Sequence, residues 1–342
     1  MSDPSRSAAT SFSEDPTLKY SQYPRLGDSV SRVGYGAFGL AGVFGPVDRH
    51  EVIETLHYCW DQGVNFLDTA RHYQKSEGII GEALRSWNGA RPFIATKVEP
   101  LGPPLKWARP VPVETCFPPG HVLREAEISL RTLGVDRLDL LQLHLYWPTW
   151  GVSGYWLDEL ESLKESGLVR SIGISLPDQR HDLALPLVLS GRIDSVQTVL
   201  NIFDPTALDC LVPLCVSHRV AVIARCVLDE GGLSGTLRED SVFSPTDFRA
   251  RYFDSGPRAQ YLARVEALRS FLPTHAGTLA RLALKFVLHD PGITAAVSSM
   301  HLQPHAVDNI AATREPPLDP EVFQELLHHH RWVRNFYAAK VL

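Results

Sequence analysis

The stretch that decides the fold is LDLLQLH at residues 138–144, an apolar run that predicts a buried strand and ends on His144. Two earlier runs have the same form, because VNFLD ends on Asp68 and FIATK ends on Lys97. Charged groups are costly inside an apolar core, whereas the carboxyl ends of parallel barrel strands are where such folds carry their chemistry. Tyr73 follows Asp68 by five residues. We therefore predict a catalytic site formed by Asp68, Tyr73, Lys97 and His144.

Around these runs, short apolar segments alternate with longer amphipathic ones. Eight strand-like segments, from VGYGAFGL at 33–40 to the segment at 294–298, are separated by helical patterns, which indicates a parallel sheet. We predict an α/β fold, a (β/α)8 TIM barrel with long loops over the C-terminal face. A doubly wound open sheet is the alternative, but no GxGxxG motif follows the first strand.

The domain organisation is predicted to be simple. Residues 1–20 are expected to be a flexible N-terminal tail, and residues 21–342 a single barrel domain that includes a C-terminal helix from Pro320 to about Phe336. Two segments interrupt the alternation, at 98–118 and at 226–260. Loops of this length inside a compact domain usually cover a functional site.

The composition limits the classes of function. The 342 residues carry a net charge of −6 and no long basic run, which argues against a nucleic-acid partner or an anionic membrane surface. No apolar run approaches the roughly 20 residues that span a bilayer, and no secretory signal begins the chain. The five cysteines show no CxxC spacing, so we expect a cytoplasmic protein with free thiols. The three consecutive histidines at 328–330 lie on a predicted helix and face different directions, and no HExxH motif is present, so no metal site is predicted.

The chemistry of the four residues indicates proton transfer. A phenol with a pKa near 10 is a poor acid at neutral pH, and we expect the Lys97 ammonium to lower the pKa of Tyr73. Asp68 would keep Lys97 charged, and His144 would orient a substrate oxygen. This is the pattern of carbonyl reduction, and the hydride must come from a cofactor. A lyase that uses Lys97 as a Schiff-base nucleophile is an alternative.

An ordered set of short segments is spread over residues 23–312, which is nearly the whole chain. They are GAFG at 36–39, DTAxxYxxxExxxG at 68–81, TK at 96–97, DRLDLLQLH at 136–144, VRSIGIS at 169–175, VQ at 196–197 and DN at 308–309. In this order they resemble the aldo-keto reductases. The resemblance implies a barrel, usually monomeric, that binds a nicotinamide dinucleotide, more often NADPH than NADH, with Tyr73 as proton donor to a small-molecule carbonyl. Channel-associated members of that family suggest a second alternative, a cofactor-binding sensor or interaction protein with little turnover.

The resemblance also implies a set of cofactor contacts. Ser175 and Gln197 would hold the nicotinamide carboxamide, and the loop from Arg225 to Gly231 would cover the ring and the pyrophosphate. The strand-one glycines would let the ligand approach the backbone. The implied cofactor residues are Gly36, Ser175, Gln197, Arg225, Cys226, Leu228, Gly231, Met300, His301, His305, Asp308 and Asn309, the last five at the adenosine half.

Several positions depart from the family pattern. Leu176 follows Ser175 where asparagine is usual, Arg225 stands where an aromatic commonly stacks on the nicotinamide, and Glu230 stands where a basic residue is common. His301 or His305 occupies the place of the arginine or lysine that grips a 2′-phosphate, and imidazole is a weaker partner for that dianion. NADP(H) is therefore favoured, and NAD(H) is possible.

Aromatic residues mark the substrate side. We expect Phe38, Tyr146 and Trp147 to line the pocket mouth, with packing of Trp147 beneath a loop as the alternative. Such a pocket suits a sugar, a steroid or an aryl aldehyde.

Overall fold

The computed structural model describes residues 18–244, 247–254 and 257–332. Most of the predicted tail, and the predicted end of the last helix beyond residue 332, lie outside the described residues. The described chain begins with an antiparallel hairpin of β1 (Tyr20–Gln22) and β2 (Ser29–Ser31). Tyr23, which follows β1, is fully buried, and its ring centroid lies 4.8 Å from that of Phe93. The hairpin therefore closes the amino-terminal end of the barrel.

Eight parallel strands form the closed barrel, in the order β10–β3–β4–β5–β6–β7–β8–β9. They are β3 (Val33–Gly36), β4 (Phe66–Asp68), β5 (Phe93–Val98), β6 (Leu138–Leu143), β7 (Val169–Ser175), β8 (Ser195–Val199), β9 (Ala221–Arg225) and β10 (Ile293–Ser299). Pairing of β10 with β3 closes the ring. The predicted (β/α)8 barrel is thus confirmed, and the open sheet is excluded.

The helices surround the barrel. They are α1 (Arg49–Asp61), α2 (Ser76–Ser86), α3 (Val113–Cys116), α4 (His121–Leu133), α5 (Tyr155–Glu165), α6 (Leu185–Ser190), α7 (Leu211–Ser217), α8 (Phe248–Asp254), α9 (Arg258–Ala267), α10 (Leu279–Val287), α11 (Gln303–Arg314) and α12 (Pro320–His329). Capping side chains and glycines fix the ends of these helices, as two examples show. The Asp48 side chain accepts the Glu51 N–H at 3.0 Å and starts α1, and Gly134, with a φ of 69°, ends α4.

The strand alternation decides which side chains face the barrel interior. The small inner apolar cluster includes Phe66, Phe93, Ala95, Leu140 and Ile223, and the larger outer cluster lies between strands and helices. Because alternate residues of a strand share a face, Lys97 points inward with Ala95. Asp68 lies in register with Ala95 and points inward with it. The carboxylate and the ammonium therefore meet at the carboxyl end of the barrel.

The two long segments are only partly loops. The segment at 98–118 contains α3, and the segment at 226–260 contains α8 and the start of α9, so both of the predicted long loops include short helices. The Phe248 N–H at the start of α8 donates to the Val43 carbonyl at 3.0 Å, so α8 lies against the chain that follows β3. Across the described ranges, no helix has the length and apolar character needed to cross a bilayer.

Candidate active site

A buried ion pair joins the ends of β4 and β5. Lys97 Nζ lies 2.8 and 2.7 Å from the two carboxylate oxygens of Asp68 and 2.9 Å from the Thr69 carbonyl oxygen. The Lys97 side chain is 0% exposed and that of Asp68 is 4% exposed. Gln197 Nε2 donates to Asp68 Oδ1 at 2.8 Å. An ammonium has three hydrogens, so all three of those on Lys97 are occupied by these acceptors.

Tyr73 and His144 lie beside this pair. Tyr73 ends the short 3-10 turn Arg71–Tyr73 that follows β4, and its ring centroid is 5.2 Å from Lys97 Nζ. The His144 ring, directly after β6, lies 5.6 Å from the Tyr73 ring in an edge-to-face arrangement. The structure thus brings together all four residues of the predicted catalytic set.

The pKa of Tyr73 runs against the expectation from sequence. Burial raises it well above its usual range, and the Asp68 carboxylate raises it further, while Arg225 lowers it. The expected lowering of the Tyr73 pKa was wrong for this structure because burial of the phenol is the largest cause and the Asp68 carboxylate acts in the same direction. Burial also lowers the pKa of Lys97, and Asp68 opposes that change.

His144 is a neutral imidazole near neutral pH. Burial lowers its pKa well below the usual range, and the charge of Lys97 adds to this effect. Its Nδ1 is buried and has no hydrogen-bond partner within the described part of the chain. A neutral imidazole with an uncommitted ring nitrogen can donate or accept one hydrogen bond at a substrate oxygen.

A buried carboxylate fixes the turn that carries Tyr73. Glu77 on α2 is fully buried, and it accepts hydrogen bonds from Thr96 Oγ1 at 2.7 Å, Ser129 Oγ at 2.8 Å and Arg71 Nη1 at 3.0 Å. Arg71 lies in the same turn as Tyr73. The Glu77 network therefore ties this turn to β5 and α4. Glu77 is the glutamate of the DTAxxYxxxExxxG segment, but its role in fixing the Tyr73 turn was not predicted from the sequence.

Aromatic rings surround the open end of the barrel. The Tyr73 ring lies 5.0 Å from Phe38, and Phe38 contacts Phe44 at 5.5 Å and Phe248 at 5.8 Å. On the other side, Trp107 lies 5.4 Å from His144. Of these aromatic residues, only Phe38 was expected from the sequence to line the pocket.

Tyr146 and Trp147 do not lie where they were expected. They are 0% and 2% exposed; the Tyr146 ring packs on Trp156 at 5.8 Å, and Trp147 Nε1 donates to the Lys106 carbonyl at 2.9 Å. They support the 98–118 segment from below, so the alternative of packing beneath a loop holds for Trp147. Trp107 of that segment takes the place beside His144. The sequence did not distinguish the two tryptophans because both follow strand ends.

A family model and individual relatives both match this sequence. The sequence model described as the Aldo/keto reductase family matches residues 32–330. This chain belongs to that family. An aldo-keto reductase of Bacillus subtilis is 27% identical over 82% of this chain and 84% of its own length. The NADH-specific methylglyoxal reductase of Escherichia coli is 25% identical over 83% of this chain and 90% of its own length.

Solved structures of the family share the fold. The holo form of an aldo-keto reductase from Bacillus halodurans superposes with a TM-score of 0.72, at 24% identity, over 93% of this chain and 99% of that one. An aldo/keto reductase from Klebsiella pneumoniae in complex with NADP and acetate gives 0.65, at 21% identity, over 93% and 98%. The chain is thus an oxidoreductase of the aldo-keto reductase family, whose general reaction is carbonyl reduction with a nicotinamide cofactor.

The expected nicotinamide contacts of this aldo-keto reductase fit a carboxamide. Ser175 and Gln197 are paired in register on β7 and β8 and are 2% and 1% exposed. Gln197 uses its amide nitrogen on Asp68, and within the described residues neither Ser175 Oγ nor Gln197 Oε1 makes a hydrogen bond. A hydroxyl and an amide oxygen are suitable partners for a carboxamide group.

The loop after β9 is a tight polar turn. Arg225 donates to the Leu176 carbonyl at 2.9 Å, to Asp178 at 2.6 Å and to Cys226 Sγ at 3.1 Å. Cys226 Sγ in turn lies 3.0 Å from Glu230 Oε1, and burial raises the pKa of Glu230 to about 7. Leu228 and Gly231 belong to the same turn, where the Gly231 N–H donates to the Leu228 carbonyl at 3.0 Å.

The residues expected at the adenosine half are largely engaged within the protein. Asp308 pairs with Arg281 at 2.6 Å, Asn309 Nδ2 donates to Ser298 Oγ at 3.2 Å, and Met300 is fully buried. His301 Nδ1 lies 2.9 Å from Ser299 Oγ.

The two histidines are poor partners for a phosphate. Burial lowers the pKa of His301 to about 4 and lowers that of His305. Arg249 of α8 contributes to both changes, and its guanidinium lies 5.5 Å from the ring of Phe44, which stacks on His301 at 6.1 Å. Arg249 is therefore a fixed cation beside these histidines, and its distance of about 50 residues along the chain gave no sign of this from the sequence.

Proposed function

We propose that this aldo-keto reductase interconverts an aldehyde, ketone or sugar and the corresponding alcohol by NAD(P)(H)-dependent hydride transfer, with Tyr73 as general acid and base. The observation that carries the proposal is the position of the Tyr73 ring, 5.2 Å from Lys97 Nζ and 5.6 Å from the ring of His144. A phenol and a neutral imidazole thus face one space at the open end of the barrel. That arrangement suits an oxygen on which negative charge develops.

Each residue of the site would have its own role in the proposed reaction. The reduced nicotinamide, when bound, supplies the hydride. Tyr73 Oη gives its proton to the carbonyl oxygen, and His144 donates a hydrogen bond to that same oxygen. Asp68 and Lys97 form the ion pair at the base of the site. The rings of Phe38 and Trp107 lie at its sides and exclude water. Ser175 and Gln197 would hold the carboxamide. A Cβ at Gly36 would lie 2.9 Å from the Ser298 carbonyl oxygen, so this glycine permits the close pairing of β3 with β10 rather than the approach of a ligand.

The proposal is tested by cofactor titration followed by a substrate screen. We expect NADPH or NADH to quench the protein's tryptophan fluorescence, and a carbonyl compound to consume the preferred cofactor, seen as loss of reduced-nicotinamide absorbance. Failure of both nucleotides to bind would reject the proposal. The cytoplasmic location and the monomeric state expected from the sequence stay predictions.

NADP(H) remains the favoured cofactor in this proposal, with NAD(H) possible. The support now comes from Arg249 rather than from the histidines, because a guanidinium keeps its charge and can bind a phosphate through two hydrogen bonds. Asp247 pairs with Arg249 at 2.7 Å and weakens this contribution, which is why the preference is expected to be modest.

Arg249→Met is expected to weaken NADPH binding roughly tenfold, the usual range for one charged hydrogen bond, and to leave NADH binding unchanged. Fluorescence titration of both nucleotides measures this. Arg258→Met is the matched control, since Arg258 lies over the Phe243 ring at 5.8 Å and Arg249 lies over the same ring at 5.0 Å. Equal losses for NADPH and NADH would show that Arg249 does not recognise the 2′-phosphate.

Trp107→Ala is expected to raise KM for a bulky apolar carbonyl about tenfold, because an aromatic contact and its buried area are lost beside His144. The Kd of the reduced cofactor should stay the same. Leu105→Ala is the control, since Leu105 lies in the same segment and is 50% exposed. An unchanged KM in the Trp107 variant would place the substrate elsewhere.

The Schiff-base alternative is not favoured by the geometry. A lysine nucleophile needs a neutral amine with a free lone pair, whereas Lys97 Nζ donates to Asp68 and Thr69. Borohydride trapping of a substrate adduct on Lys97 in the absence of cofactor would support that alternative.

A cofactor-binding sensor with little turnover remains the other alternative. Glu230, within the loop expected to cover the pyrophosphate, is the feature that favours it, since a carboxylate repels phosphate and departs from the usual cofactor contacts. Tight nucleotide binding with no cofactor consumption across a broad carbonyl panel would support it.

A further inference from the structure

A polar pair with no role in the proposed proton transfer lies at the edge of the site. His72 belongs to the short turn that carries Tyr73, and Glu99 directly follows the last residue of β5. His72 Nδ1 lies 2.9 Å from Glu99 Oε1. Their side chains are 47% and 42% exposed, so neither group is shielded by the rest of the protein.

The pair lies beside the histidine that would orient the carbonyl oxygen. The centroid of the His72 ring is 5.9 Å from that of His144 and 6.2 Å from that of Trp107. The His144 N–H donates to the carbonyl of Val98, the residue before Glu99, at 3.2 Å. These contacts place the pair in the wall of the space where the carbonyl compound would bind.

Both members of the pair are held in place by buried groups. The Glu99 carbonyl oxygen accepts a hydrogen bond from His121 Nε2 at 2.8 Å, and His121 is buried at the start of α4. The turn that carries His72 is held by the contact of Arg71 with the buried Glu77 at 3.0 Å. Groups that are already fixed lose little conformational freedom when a ligand binds, so their contacts contribute strongly to selection.

The atoms of the pair that remain for a ligand are acceptors. An ionised carboxylate only accepts hydrogen bonds, so His72 Nδ1 carries the shared hydrogen, and in the neutral ring Nε2 is then an acceptor. Within the described residues, neither Glu99 Oε2 nor His72 Nε2 makes a hydrogen bond. Two such acceptors suit neighbouring donor groups on a ligand, and the carboxylate opposes a ligand of negative charge.

A nearby lysine disfavours a ligand of positive charge. Lys106 Nζ lies over the Trp107 ring, 5.6 Å from its centroid, and Lys106 is buried, so solvent screens its charge poorly. Hydroxyl groups donate hydrogen bonds without carrying a charge, and the C–H groups between them can pack against an indole ring. Neutral hydroxyl groups therefore match both the acceptors and the ring.

We propose that His72 and Glu99 determine the substrate specificity of the site: they bind hydroxyl groups on the carbons next to the carbonyl, and they reject carbonyl compounds that carry a carboxylate. The inference rests on the proposed function and adds to it a substrate class, a neutral hydroxylated aldehyde or ketone. Neither residue takes part in the proton transfer.

The experiment compares three small aldehydes with the full-length enzyme and its preferred cofactor. Glyceraldehyde carries two hydroxyl groups, propanal has the same carbon chain without them, and glyoxylate carries a carboxylate. We expect kcat/KM of the wild type for glyceraldehyde to exceed that for propanal about tenfold, the lower end of the range for a hydrogen bond to a charged group.

Glu99→Gln and His72→Phe each remove one acceptor with little change in volume. Each should lower the ratio of kcat/KM for glyceraldehyde to that for propanal about tenfold, and Glu99→Gln should also raise the ratio of glyoxylate to propanal. Glu114→Gln is the matched control, since it makes the same chemical change at an exposed residue of α3 in the same segment. Both ratios should keep their wild-type values in that control.

The ratios distinguish specificity from a structural role, because a structural defect would change the rates for all three aldehydes together. Ratios that stay constant in both folded variants would overturn the inference. A wild-type preference for glyoxylate, or for the positively charged 3-aminopropanal, over glyceraldehyde would overturn it as well.

The proposed function fails separately, if no carbonyl compound consumes the reduced cofactor. The pair is then tested without turnover, by saturation-transfer NMR of glycerol and 1-propanol with the full-length protein. Glycerol should receive more saturation than 1-propanol from the wild type, and the difference should disappear in Glu99→Gln. Equal saturation of the two alcohols by the wild type would contradict the role of the pair, whatever the reaction.

Discussion

Tyr73→Phe is expected to lower kcat/KM for carbonyl reduction by about two to four orders of magnitude, the usual contribution of a positioned proton donor. The ring contacts with Phe38 and His144 at 5.0 and 5.6 Å would remain, because phenylalanine keeps the ring. Cofactor binding should therefore be unchanged. Steady-state kinetics on the best substrate of the screen, with fluorescence titration of the reduced cofactor, measures both quantities.

Tyr58→Phe is the matched control, since Tyr58 lies on the outer helix α1 and loses the same hydroxyl. It should keep the wild-type rate. If Tyr73→Phe also kept that rate, the proton donor would have to be sought elsewhere, first at His144.

Lys97→Met is expected to reduce the free energy of unfolding by about 3–5 kcal/mol, as well as activity. Methionine fills a similar volume, but it leaves the Asp68 carboxylate, 4% exposed, without its partner. An unpaired buried charge is among the most destabilising changes available to a core. Urea denaturation at pH 7 measures the loss.

The double variant Asp68→Asn with Lys97→Met separates pairing from packing. Removal of both charges should recover most of the lost stability, because no unpaired charge then remains, while activity stays low. A double variant as unstable as Lys97→Met would indicate that lost packing, rather than an unpaired carboxylate, caused the effect.

The barrel and the four residues at its open end could be predicted because the signal for each strand lies within a few consecutive residues. Each strand is a short apolar run, and the polar residue that ends the run falls at the carboxyl end whatever the rest of the chain does. Asp68, Lys97 and His144 could therefore be placed by inspection. The strand ends were good to a few residues: the first strand stops at Gly36, and Phe38 lies in a 3-10 turn.

The electrostatics of the site could not be predicted in this way. The pKa of Tyr73 depends first on burial of the phenol and then on the charges of Asp68 and Arg225, and both depend on how separate strands and loops come together. The positions of Tyr73 and Lys97 along the chain show neither how deeply the phenol is buried nor whether the ammonium is already paired with a carboxylate. The sign of the expected shift was wrong for this reason.

The directions of the side chains in the two long segments, 98–118 and 226–260, could not be predicted from the sequence either. Trp107 and Trp147 both belong to the neighbourhood of His144, but one contacts its ring and the other donates to the Lys106 carbonyl beneath it. Arg249 meets Phe44 across about 200 residues of chain, through the contact of α8 with the segment after β3. Only the folded chain joins these positions.

In the proposed reaction Tyr73 protonates the carbonyl oxygen, and the carbonyl carbon would receive its hydride from the reduced cofactor. This reaction is tested most directly with cofactor deuterated at the transferring position and mass spectrometry of the product. We expect one deuterium on the carbinol carbon of the alcohol formed by the wild type, and almost none formed in the same time by Tyr73→Phe. A product without deuterium, or a product released from a covalent adduct on Lys97, would contradict the account.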